Sequence, residues 1–302
     1  MITPEGSLIQ KRTADNTTLP PSAQAFYDWY LSNEKDRQRR QESIALTDMD
    51  NFKDLYPESE INNDKNEVRN LRNKVNQKDF TQYAEIAEHI TRTFATDNLW
   101  FGEDSVITET LEYDDRKNGT DFVIEWEDPK TSARTGVLAI DVTVTNRRDV
   151  LVNKLMKTKQ SLEDGTLTNI KYFNSGLNGD NEHLHLTPRV IIAFDKNNLD
   201  SLCKELIVYT ENTNSYNKVK NHYMSLFVLK TSEIQLNKQL TYLKDLGISR
   251  GNPQKYEAAE NAVQQTLDLL SKELEQKEKS LSKENLQQAY VLLEKLTFPD
   301  VF

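Results

Sequence analysis

The sequence predicts an α/β protein: a central mixed sheet flanked by helices, with an N-terminal helical arm and a C-terminal α-helical hairpin. Two strand-length runs of apolar and β-branched residues, Gly119-Thr120-Asp121-Phe122-Val123-Ile124-Glu125-Trp126 and Gly136-Val137-Leu138-Ala139-Ile140-Asp141-Val142-Thr143-Val144-Thr145, are separated by breakers from Asp128-Pro129 onward, the signature of a β-hairpin. Helical periodicity precedes that hairpin and follows it. Beyond residue 214 the chain reads as helix alone. These patterns divide it into a flexible arm and helical N-terminal region (1–78), an α/β core (79–209) and a helical C-terminal region (210–302).

Ahead of the core, residues 1–20 are polar and unpatterned and predict a loose arm. Ser22 is placed to cap a helix whose Phe26, Trp29 and Tyr30 share a face, and the mixed charges of 34–42 predict a solvated helix face. The Asp- and Asn-rich stretch 47–66, with Asp48, Asp50 and Asp54, lacks the glycine and final glutamate of a calcium loop and reads as a linker. From Asp79 to Thr96, Tyr83, Ile86, Ala87, Ile90 and Phe94 recur at helical spacing and predict a buried stripe, with Glu85 and Glu88 off it.

Within the core a strand is expected over Ser105–Tyr113, then the hairpin, then a helix from Val150 to Leu162 ended by Gly165. Lys154 falls at the edge of that helix's apolar stripe, aimed back at the sheet, and Lys157 points further away. Strands follow at Asn169–Phe173 and Arg189–Phe194, around a Gly/Asn-rich loop. His183-Leu184-His185 puts two imidazoles on one side of an extended segment, read as ordinary loop histidines because nothing nearby completes a zinc set. Asn198 or Asp200 is expected to cap the helix running to Tyr209. A long helix over Asn214–Lys244 breaks at Gly247–Pro253, and 254–278 and 283–297 read as an antiparallel pair joining Val263, Leu267, Leu270 and Leu274 to Leu286, Ala289, Leu292 and Leu296.

Composition narrows the function classes. A net charge of −10 and a mean hydropathy of −0.73 argue against broad nonspecific nucleic-acid binding, which rests on basic surface, but leave room for a local basic groove. The single cysteine, Cys203, lies in an amphipathic helix pattern, allows no intrachain disulfide and fits a reducing compartment. With no apolar run near the roughly 18 residues of a membrane span and no basic-then-apolar leader after Met1, the expectation is a cytoplasmic protein without membrane contact.

The chemistry concentrates on the hairpin. Asp121 opens its first strand and Asp141 sits inside Ile140-Asp141-Val142, where an ionised carboxylate needs a partner, a metal or a shifted pKa. Two carboxylates converging on adjacent strands make a site for Mg²⁺; aspartates so placed also serve as solvated or capping residues. With the order of helices and strands, Gly119-Thr120-Asp121 and Ala139-Ile140-Asp141-Val142-Thr143 resemble the PD-(D/E)XK, or restriction-endonuclease-like, nuclease superfamily over roughly residues 79–209. The resemblance implies a restriction-endonuclease-like core that binds Mg²⁺ or Mn²⁺ through Asp121 and Asp141, with Glu85 or Glu88 as an additional acid, and cleaves phosphodiester bonds in DNA or, less often, RNA. The sequence departs from the pattern at Thr143, where the family carries lysine. In some members the lysine has moved to the following helix, which points to Lys154.

Three functions compete: a Mg²⁺-dependent phosphodiesterase, an inactive nuclease-like scaffold binding a protein partner through residues 210–302, and a DNA mimic or nuclease inhibitor. Thr143 and the acidic balance favour the second.

Overall fold

The computed structural model describes residues 19–32, 46–74, 82–96, 100–144, 148–211, 220–295 and 301–302. In chain order these form α1 (Pro21–Ser32), a 3₁₀ turn (Leu46–Phe52), α2 (Glu58–Lys74), α3 (Gln82–Thr96), β1 (Ser105–Glu109), α4 (Glu112–Asn118), β2 (Phe122–Glu127), β3 (Arg134–Val144) and α5 (Arg148–Glu163). There follow β4 (Thr168–Asn174), β5 (Asn181–Thr187), β6 (Arg189–Phe194), α6 (Lys196–Glu211), α7 (Tyr223–Ser249), α8 (Pro253–Ser280) and α9 (Lys283–Lys295). The protein is α/β, with a mixed four-stranded sheet in the order β1-β2-β3-β6 and a separate β4-β5 pair.

β2 runs antiparallel to both of its neighbours, β1 and β3, as the short predicted turn between β2 and β3 requires of that pair; β3 and β6 run parallel, so α5 and the β4-β5 hairpin form the crossover between them. Side-chain alternation divides the sheet. Phe122, Ile124 and Trp126, Leu138, Ile140 and Val142, and Val190, Ile192 and Phe194 face the main core. The other face meets the small sheet through Val123 and Ala139, and α5 through Ile191 and Ala193 against Leu151 and Leu155. Every residue of β6 is buried, which explains its unbroken apolar run.

β6 is an edge strand, and α7 closes that edge. Gln235 accepts from the Ile191 amide at 2.9 Å and donates to the Ile191 carbonyl at 2.8 Å, and Gln239 donates to the Arg189 carbonyl at 2.8 Å, so two glutamines stand in for a neighbouring strand. The main core is continuous from Leu19 and Phe26 to Leu274 and Ala289. Among the described residues no helix is long and apolar enough to cross a membrane.

Several expectations are corrected. The strand placed over Ser105–Tyr113 stops at Glu109. Residues 112–118 form α4, with Glu112, Asp114 and Asp115 in its first turn, Arg116 and Lys117 in its last, and Gly119 at φ 66° as the left-handed cap: charges that suit a helix dipole, on a helix too short to show an apolar period. The supposed linker 47–66 is the 3₁₀ turn and most of α2, where Met49, Phe52, Ile61 and Val68 pack with Tyr113 and Tyr172. Ser22 lies inside α1, which starts at Pro21, and donates to Asp200. Asp195, rather than Asn198 or Asp200, caps α6, accepting from the amides of Asn197 and Asn198 at 2.8 and 2.9 Å. His183 and His185 lie on β5 with ring centroids 3.8 Å apart, the planes tilted by 31°.

At the C-terminal end, α7 runs through Gly247 to Ser249 and pairs mainly with α8, while α9 packs on α7. The helical hairpin is therefore α7-α8, not the expected pair 254–278 with 283–297. The charged run 34–42 and residues 214–219 lie outside the described residues.

Candidate active site

Asp121 and Asp141 meet where β2 begins beside the middle of β3. The Asp121 amide donates to the Ile140 carbonyl at 2.8 Å, and its carboxylate Oδ2 accepts from the Val142 amide at 2.5 Å, so Asp121 brackets Asp141 from the neighbouring strand. β2 starts only at Phe122. The Val142 amide, which points toward β2 past its end, takes a side-chain oxygen in place of a strand carbonyl. Asp141 is 3 % exposed and its Oδ1 is ion-paired with Lys154 of α5. This pairing follows from parity: Asp141 shares its face of β3 with Ala139, on the side that α5 covers.

Further carboxyls crowd this end of the sheet. Glu88 of α3, Asp115 of α4 and Asp121 line one cleft of about 220 Å³, together with Glu85, Tyr30 and Phe122. Burial, and after it the charges of Asp115, Glu85 and Asp141, push the Glu88 carboxyl up to about 8, against the pull of Lys154. Burial lifts Asp115 to about 6, although its outer side stays in solvent and Arg116 and a hydrogen bond with Asp121 oppose the shift. Asp121 is raised well above the usual carboxylate range, first by burial and then by Glu88, Asp115 and Asp141. Among the cations around these four acids, Lys154 pairs with Asp141, Arg189 is buried close by, and Arg72, Arg92 and Arg116 line the same cleft.

Of the residues singled out from sequence, Asp121, Asp141, Lys154 and Glu88 come together. Glu85 lines the same cleft but is held by the Tyr27 hydroxyl, which donates to it at 2.6 Å. Thr143 shares the face of Asp141 and is half-buried; among the described residues no hydrogen bond ties its hydroxyl to the acids. Lys157 is exposed on α5. Asp115 and Arg189 were not singled out. Reading 112–118 as helix, from its acids-first, bases-last order and the following glycine, brings Asp115 forward; the only signal for Arg189 was a charge heading an apolar strand.

The donors are carboxylate oxygens, the ligands Mg²⁺ and Mn²⁺ take, and buried like charges are what a cation relieves. Among the described residues no three His, Cys, Asp or Glu side chains are gathered to hold an ion by themselves. An ion here would be held by at most two of these carboxylates and otherwise by water, as Mg²⁺ commonly is, and not in a closed cage. Compared with protein-family models, curated proteins and solved structures, the chain matches none.

Proposed function

We propose that the protein is a Mg²⁺-dependent phosphodiesterase acting on nucleic acid, DNA before RNA, built on a restriction-endonuclease-like core. The observation that carries this reading is the Lys154–Asp141 ion pair: a helix lysine stands beside the acid whose own strand offers only Thr143. The order α3-β1-β2-β3-α5-β6, with β3 and β6 parallel, also supports it.

Asp121 and Asp141 would hold the ion, and Glu88, in the same cleft, would serve as the additional acid through a water on the ion and not as a third direct ligand. Such an ion supplies an activated water and offsets charge on a phosphate undergoing displacement. Lys154 keeps an ammonium at the same acid, where it orients a water and offsets charge on the attacked phosphate. Asp141 fixes where that ammonium sits, and Thr143 lies on the face open to the same water. The test is incubation of single- and double-stranded DNA and RNA with Mg²⁺ or Mn²⁺. Cleavage is expected in the native protein and absent in Asp141→Asn and Lys154→Met; cleavage unaffected by both substitutions defeats the proposal.

A second reading, an inactive scaffold, is favoured by the neutralisation of Asp141 by Lys154 and by the uncharged Thr143. A protein partner on residues 210–302 would meet outer surfaces such as the exposed Tyr290 and Val291 of α9, because α7 and α8 bury Leu236, Leu243, Val263 and Leu270 in the core. Intact nucleic acid together with a stable protein complex lost on substituting Tyr290 and Val291 would select it.

A further inference from the structure

We infer that Arg189 is the positioning residue of the acid cluster, a buried fork that ties α4 and α5 to the sheet and so fixes Asp121 and Asp141 relative to each other. Arg189 is 5 % exposed and heads β6 on the face that α5 covers. Its Nε and Nη2 donate to Thr158 Oγ1 at 3.3 and 2.9 Å, Nη2 also donates to the Lys154 carbonyl at 3.4 Å, and Nη1 donates to the Asn118 carbonyl. All of these acceptors are neutral oxygens on the two helices that deliver Lys154 and Asp115. Its own carbonyl is held by Gln239 of α7. The guanidinium is thereby anchored from behind and spends its donors on the neighbouring helices.

The guanidinium also feels the charges of Asp141 and Asp121. A side-chain carbon built on Gly119 would lie 3.5 Å from both Arg189 Nη1 and Asp141 Oδ2, so those two atoms are at most twice that distance apart. Of the five guanidinium hydrogens, four are accounted for by these bonds, and the fifth is on the nitrogen facing Gly119 and Asp141. A lysine here would keep the charge but could not span Asn118, Lys154 and Thr158 together, because an ammonium lacks the planar fork. Gly119 and Thr120 are the only residues between Asn118 and Asp121. Holding Asn118 therefore holds the start of β2.

Positioning and mere charge predict opposite signs. If Arg189 acted only as a nearby positive charge, Arg189→Met would bind a divalent cation more tightly and Arg189→Lys would bind as the native protein does. If it positions the acids, both variants bind more weakly, by roughly ten-fold or more as for residues that orient metal ligands. That arm rests on the reading of the acids as a cation site. Amide hydrogen exchange supplies an arm that does not: the Val142 amide is protected by the Asp121 carboxylate, so both variants should exchange there roughly ten-fold faster while Ile192, deep in β6, is unchanged. Thr158→Val, which removes one acceptor and leaves Arg189 in place, should give a smaller change of the same sign and serves if either arginine variant fails to fold. Faster Val142 exchange in a protein that binds no Mn²⁺ would leave positioning intact and sink the metal reading. Native exchange at Val142 in the arginine variants, or in Thr158→Val should those not fold, overturns the inference.

Discussion

Glu88→Gln removes a carboxyl that burial, with Asp115 and Glu85 beside it, pushes up to about 8 from an ordinary 4.5. In the folded protein the group keeps its proton to about pH 8, whereas the unfolded chain releases it near 4.5. Its contribution to stability is therefore fully present below about pH 4.5 and lost as the pH rises through about 8. At about 1.4 kcal/mol per unit, an isolated group with that shift would cost roughly 5 kcal/mol at high pH. Glu88, Asp115 and Asp121 titrate against one another and Glu88 is only half-buried, so roughly 2–3 kcal/mol is expected. Glutamine matches the protonated acid in shape and carries no charge at any pH. Urea unfolding should show the two proteins nearly equal at pH about 5 and the variant more stable by that amount at pH about 8.5. A difference that does not change between the two pH values refutes the reasoning.

Lys154→Met strands the buried Asp141 without its ion pair; because the lysine is 29 % exposed, the cost is placed at about 1–3 kcal/mol, below that of a fully buried pair, and is measured by urea unfolding near neutral pH. A loss under about 0.5 kcal/mol would show that the pair does not matter to the fold. Gln235→Leu leaves the Ile191 amide and carbonyl unsatisfied at the sheet edge and should cost about 2–4 kcal/mol in the same assay; a neutral result would show that α7 does not cap β6. Gly119→Ala should lose about 1–2 kcal/mol from its φ of 66°, since its contacts with Arg189 and Asp141 at 3.5 Å are ordinary ones, and a larger loss with altered Asp141 resonances would mean that the approach is tighter than that.

Sequence patterns exposed the hairpin because its two strands are apolar and β-branched over strand length, covered on both faces along most of their run and separated by breakers, and β6 because both its faces are covered. Lys154 was legible from the helical wheel: the edge of the Leu151, Leu155, Leu162 stripe turns toward the sheet, and Asp141 lies there. What escaped had no period to read. α4 is seven residues long and mostly charged, and its order of charges and terminal glycine carry the only signal. The turn and helix over Leu46–Lys74 bury few apolar groups, spaced as widely as Ile61 and Val68, and are held also by ion pairs such as Lys65–Asp50 at 2.7 Å and Lys171 with Glu60 at 2.6 Å. Arg189 and Gln235 act through partners at 31 or more residues' remove, which spacing along the chain does not reveal. The helical pairing failed for a related reason. α8 and α9 each have an apolar stripe, and both stripes meet α7 instead of one another.

Calorimetric titration of Mg²⁺ and Mn²⁺ into the native protein and Asp141→Asn, near neutral pH, asks most directly whether these acids form a site. A saturable heat in the native protein that disappears in the variant, with the variant still folded, is the predicted result. No heat in the native protein, or equal heats in both, contradicts it.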